Sequence, residues 1–171
     1  MCSVLNNKHN IKFVDIPYPY LIIDNALPTR YYEKLNHAFP AYDKIIKGDI
    51  VNGGKYKENF SYRYNASKSL IDSKISNIWR EFISFHTSFK FVEDFYSIFN
   101  SSINKLYPDS CGKLPNENNT GIRFVGDHYF NLDCQFVINT PTKGKTSVIE
   151  PHLDNAKEFY AALLYMRDPN D

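Results

Sequence analysis

The hydrophobic periods along this 171-residue chain mark an α+β fold, with helices gathered in the N-terminal part and strands in the C-terminal part. Three stretches carry that expectation. Ile71, Ile75, Ile78, Phe82 and Phe85 recur at spacings of three and four, with Trp79 beside them. Phe89, Val92, Tyr96, Phe99 and Ile103 repeat the pattern directly afterwards. Both runs are stripes on amphipathic helices. Beyond Gly121 the pattern changes to short β-rich pieces, and "EFYAALLYM" at 158–166 is a continuous apolar run of strand length.

The elements follow in order. Residues 1–10 are polar and expected to be loose. Tyr20–Ile23 is β-rich, and the Pro-Tyr-Pro-Tyr stretch before it favours extended backbone. "DNALPTR" turns the chain. Thr29 is placed to cap a helix over "RYYEKLNHAFP" that ends before Pro40. Residues 41–66 carry Gly48, Gly53 and Gly54 without a clear period and read as irregular, with room for a short strand. The helix through Ile71–Phe85 comes next, and a second starts at Thr87 or Ser88. "PDSCGKLPNENNTG" is a loop by composition. "IRFVGDHYFNLDCQFVINTP" holds strands interrupted by Gly126, Asp127 and Asn131. Alternation in the last run places Phe159, Ala161, Leu163 and Tyr165 on one face, and Tyr160, Ala162, Leu164 and Met166 on the other.

Composition limits the function classes. One domain over 1–171 is expected, with 1–110 as a strand and helical support region and 111–171 as the strand-rich core. A net charge of +1 gives no argument for a nucleic-acid or membrane partner. No run reaches the about 18 apolar residues of a membrane span, and no signal-peptide core opens the chain. Cys2, Cys111 and Cys134 are scattered and form no C-x-x-C pair, so a zinc knuckle and a disulfide framework are both disfavoured. The expected location is the cytoplasm.

The chemistry concentrates in "EPHLDN". His152 and Asp154 are two apart, so on an extended segment they point to the same side, about 6.6 Å apart along the backbone. One neutral imidazole nitrogen and one carboxylate oxygen suit Fe(II), Mn or Zn better than Ca. The alternative is a surface turn with an Asx-type bond at Asp154 and a solvated His152. The small Ala161 beside Tyr165 leaves room for a ligand over that face, or else Tyr165 is a core or rim tyrosine.

"CQFVINTP", "EPHLDN" and "FYAALLYMRDPND", with the opening "PYLIIDNALPTRYYEKLNHAFP", resemble the prolyl-4-hydroxylase-like branch of the iron(II)- and 2-oxoglutarate-dependent dioxygenases. The likeness covers the ends of the chain and follows the helical middle loosely. It implies N-terminal helices packed on part of a double-stranded β-helix, or jelly roll, incomplete at the C-terminus. It implies that His152 and Asp154 match the first two iron ligands, and that Tyr165 matches a strand tyrosine bonded to the co-substrate carboxylate. Gln135 and Asn139 are then amides that hydrogen-bond the iron ligands from behind, or ordinary sheet-face amides. The implied cofactors are Fe(II), 2-oxoglutarate as co-substrate and O2. The implied substrate is a small molecule or a protein side chain.

The sequence departs from that family in one respect. The family's second His and its co-substrate-binding Arg or Lys lie far downstream, whereas here no His follows His152 and five residues follow Met166. The expectation is therefore a chain cut before the second half of the barrel and inactive as it stands. Upstream, His128 in "GDHYF" is the best-placed substitute ligand or else a loop histidine; His9 is a further candidate, and His37 and His86 read as helix-rim residues. The competing functions are a non-catalytic jelly-roll scaffold and a cupin-type metal protein that uses His128 with His152.

Overall fold

The computed structural model describes residues 2–7, 11–49, 53–106, 114–144 and 158–166. Among them are five helices and six short strands, so the chain mixes helix and strand as the periods implied. The strands pair two by two and form no closed barrel among the described residues. The chain divides into two compact units, 1–38 with 65–135 and 39–64 with 136–171.

The first unit opens with an antiparallel hairpin of β1 (Ile11–Val14) and β2 (Tyr20–Ile23), in which Val14 faces Tyr20. Helix α1 (Thr29–His37) follows. Thr29 lies inside it, and its cap is Pro28, without a side-chain cap bond. Pro28 has the fixed φ suited to a helix start, and its carbonyl accepts from the Tyr31 and Tyr32 N–H groups.

The Ile71–Phe85 stripe spans two helices, α3 (Ala66–Ile71) and α4 (Asn77–His86). The break has a local cause. The Asp72 carboxylate accepts the Lys74 N–H at 2.9 Å and its carbonyl accepts the Ile75 N–H, so the chain turns where the period would continue. Ile71 is left 85% exposed. In α4, Trp79, Phe82, Ile83 and His86 form the buried stripe, and the helix packs on α1, α3 and α5 (Phe89–Leu106). Two hydroxyls then close α4. Thr87 Oγ1 donates to the Ile83 carbonyl at 2.8 Å, and Ser88 Oγ to the Phe85 carbonyl at 2.6 Å. Ser88 Oγ also accepts the Phe91 N–H, which starts α5 where the sequence placed it.

The segment 2–7 is anchored where the sequence suggested looseness. Ser3 and Leu5 are buried, and the Ser3 hydroxyl and carbonyl accept from the Leu5 and Asn6 N–H groups. Leu5 is apolar and has a place to go, which composition over ten residues conceals. The unit also holds a parallel pair, β4 (Thr120–Ile122) with β5 (Phe130–Leu132).

The second unit is built on α2 (Tyr42–Gly48), β3 (Ser61–Tyr64) and β6 (Phe136–Asn139). The first two fall where the sequence showed no period. β3 and β6 pair antiparallel, with Tyr62 opposite Ile138 and Tyr64 opposite Phe136. Tyr62, Tyr64 and Phe136 are buried with Ile45 and Ile46, while Arg63, Val137 and Asn139 on the alternate face are exposed. Thr140 extends the pairing. Its hydroxyl accepts the Phe60 N–H at 2.9 Å and donates to the Lys57 carbonyl at 2.7 Å.

Residues 158–166 carry the apolar run expected to be a strand, and no described strand pairs with them. A strand exists only where a neighbour takes its backbone N–H and C=O groups, and hydrophobic continuity alone does not supply that. The alternation survives at its end: Leu163 and Tyr165 are exposed, Leu164 and Met166 half-buried.

Candidate functional site

His152 and Asp154 lie outside the described residues, as does His9. The other candidates are placed. Asn139 ends β6 on its exposed face, opposite Ser61. Tyr165 is 77% exposed, and its hydroxyl has no partner among the described residues. Among those residues, no three His, Cys, Asp or Glu side chains are grouped so as to hold a metal.

Gln135 has a structural partner. Its Nε2 donates to Asp133 Oδ2 at 2.8 Å, and its Oε1 is buried with no partner among the described residues. Asp133 Oδ1 accepts the Ala66 N–H at 2.9 Å. That N–H opens α3, where helical partners are missing. Asn65 serves the same end, its side chain accepting the Lys68 N–H at 3.2 Å. Gln135 thus orients a carboxylate that caps a helix from outside it. Sequence reasoning missed Asp133, because the bond joins residues far apart in the chain. Asp133→Ala is expected to cost about 1 kcal/mol, the usual worth of a cap, and urea denaturation followed by circular dichroism checks it. An unchanged midpoint would leave the cap to Asn65 alone.

Cys134, next to it, is half-buried and disfavours the thiolate form. Burial, with the Asp133 carboxylate adding, pushes its thiol up to about 12, so the thiolate is scarce near neutral pH.

His128 lies between β4 and β5 with its ring on the backbone of Gly121. A Cβ at Gly121 would come within 2.2 Å of the His128 ring, so only glycine allows this approach. The imidazole has no hydrogen-bond partner among the described residues.

His37 is exposed at the end of α1, as expected of a rim residue, but His86 is buried. It sits seven residues after Trp79, on the same stripe of α4, and that spacing was the available signal. Its Nδ1 donates to the Phe82 carbonyl at 2.7 Å and its Nε2 accepts the Val4 N–H at 3.2 Å. The rings of Phe82, Phe85 and Phe91 surround it. Burial lowers its pKa below the ordinary 6.5, with the Phe82 carbonyl opposing.

In the second unit Asp49 is a buried carboxylate that accepts the Arg63 N–H at 3.0 Å. No helix among the described residues is long and apolar enough to cross a membrane. Compared with protein-family models, with curated proteins and with solved structures, the chain finds no match.

Proposed function

We propose that the chain carries the His152–Asp154 part of a ferrous site in a non-haem Fe(II)/2-oxoglutarate-dependent oxygenase of the hydroxylase type. The observation that carries the reading is the motif in its setting: β-strand residues 136–139, then His-x-Asp, then the apolar run 158–166. The antiparallel pairing of β6 with β3 agrees with β6 being one strand of a jelly-roll core. The donor set fits the metal in type. His152 supplies a neutral nitrogen and Asp154 a charge-offsetting oxygen, two of the three ligands of a facial triad. Bound iron with 2-oxoglutarate and O2 would supply the oxidation of the substrate.

The roles of the remaining residues are more limited. Gln135 is committed to Asp133, which leaves Asn139 as the amide for outer-sphere support. Tyr165, exposed beside Leu163, has a hydroxyl without a partner among the described residues to offer a carboxylate. The substrate class is a small molecule or a protein side chain.

Titration of the full chain with Mn(II), an EPR-visible stand-in for Fe(II), tests the metal site. The expected result is one bound ion, with affinity falling about tenfold or more in His152→Ala and in Asp154→Ala. His128→Ala is expected to bind as the parent does; a loss there would favour the cupin-type site. The absence of binding, or binding indifferent to His152 and Asp154, refutes the proposal. Succinate formation from 2-oxoglutarate, in any form of the protein that shows it, should disappear in both variants.

A further inference from the structure

We infer that His86 is a pH-sensitive latch: in its neutral form it holds segment 2–7 against α4, and its protonation releases that segment, which forms one wall of a surface cleft. The geometry admits one protonation state. A carbonyl can only accept, so Nδ1 must carry a proton for Phe82. A backbone N–H can only donate, so Nε2 must be bare for Val4. A second proton on the ring would place N–H against N–H at Val4. It would also set a cation among three phenylalanine rings, in a place closed to water.

No charged neighbour compensates. The segment contributes Cys2, α1 carries Arg30, Glu33, Lys34 and His37, α3 carries Lys68, α4 carries Arg80 and Glu81, and α5 carries Lys90, Glu93, Asp94 and Lys105. Lys90 pairs with Glu93 and Asp94, Arg80 bonds Asn77, and Glu81 acts on the Tyr31 phenol. No ion pair joins any described group to the imidazole. Burial lowers the pKa, so the latched form binds fewer protons than the released form. The hold is therefore complete above the ordinary histidine value of 6.5 and weakens as pH falls below it.

What the latch controls is also visible. The segment has three other attachments, buried Ser3, buried Leu5 and a bond from Asn7 Nδ2 to the Asn25 carbonyl at 2.8 Å. Cys2, Ser3, Asn6 and Asn7 line one side of the cleft, of about 560 Å³. The turn after β2 and the start of α1, from Asn25 to Thr29, line the other. The lining mixes polar groups with Ala26, Leu27 and Pro28 and carries no Asp, Glu, Lys or Arg, so loss of the segment changes access to the cleft and not its fixed charge.

Amide hydrogen exchange by NMR on the full chain, from about pH 7.5 to about pH 5, tests the latch across the histidine range. After correction for intrinsic exchange, protection at Val4 is expected to fall about tenfold toward the acid end, the worth of a lost buried bond, while α4 keeps its protection. In His86→Phe, which keeps an aromatic ring and removes the acceptor, Val4 should be weakly protected at every pH. If that variant does not fold, the ¹⁵N shift of Nε2 in the parent chain carries the test, since it must report a bare nitrogen wherever Val4 is protected. Val4 protection that is flat with pH, or that falls together with α4, or that stays pH-dependent in His86→Phe, overturns the latch.

Discussion

Trp79→Ala is expected to remove most of the stability of the first unit. Trp79 is the only tryptophan in the chain and is 4% exposed, on the stripe of α4 that faces α1 and α3. Deleting so large a buried side chain costs about 3–5 kcal/mol, because the hole left behind closes only in part. A second loss adds to it. The indole Nε1 donates to the Leu35 carbonyl at 2.9 Å. Leu35 is in the last turn of α1, where carbonyls run out of helical partners, and it is fully buried, so water cannot replace the indole. Against a typical domain stability of about 5–15 kcal/mol, the sum leaves little margin. Trp79→Phe separates the two effects. It keeps most of the volume and orphans the carbonyl, so it should cost about 1–3 kcal/mol. Urea denaturation followed by circular dichroism reads both variants. A Trp79→Ala protein that melts as the parent does would mean that α4 is not the centre of this unit.

The same helix shows what was legible in the sequence. The amphipathic stripes of α4 and α5 are local facts, written at spacings of three and four, and both helices form. The stripe misled at its upstream end. Ile71 keeps the period, yet a bond within residues 72–74 outranks it, because the carboxylate of Asp72 reaches a backbone N–H more readily than another helical turn forms. His86 was legible and misread. A histidine seven residues after a buried tryptophan shares its face, and its two backbone partners explain how a polar ring stays there.

Tertiary partnerships were not legible. Helix α2 has seven residues and two buried isoleucines, too little pattern to announce itself, and it packs on β3 and β6, which lie far apart in the chain. Nothing near Ser61 points to Asn139 as its neighbour. Asp133 carries no local signal in the sequence and caps a distant helix. The candidate site shows the opposite case. His152 and Asp154 are legible only as sequence, because the motif is local. Apolar residues 158–166 read as a strand from continuity, while a strand depends on a partner that no local pattern names.

Gly48→Ala sets two effects of opposite sign against each other in the second unit. Gly48 ends α2, and helix propensity alone favours alanine there by about 1 kcal/mol. The packing opposes it. A Cβ at Gly48 would lie 2.1 Å from Cε2 and 2.2 Å from Cδ2 of Tyr64, well inside contact distance. The Tyr64 ring has little freedom to withdraw. It is 6% exposed and shares the inner face of the β3–β6 pair with Phe136, itself edge-on to Phe39 at 5.4 Å. Overpacking of this kind costs about 1–3 kcal/mol, so the net outcome is expected to lie between no change and a loss of about 2 kcal/mol, with the tyrosine offsetting the helix gain. Tyr64→Ala destabilises on its own account, but in that background the clash is gone and Gly48→Ala should be neutral or stabilising. The coupling between the two positions is then the measured quantity. Equal costs in both backgrounds, or a gain in the parent, would show that the ring yields freely and that α2 does not rest on β3 through this contact.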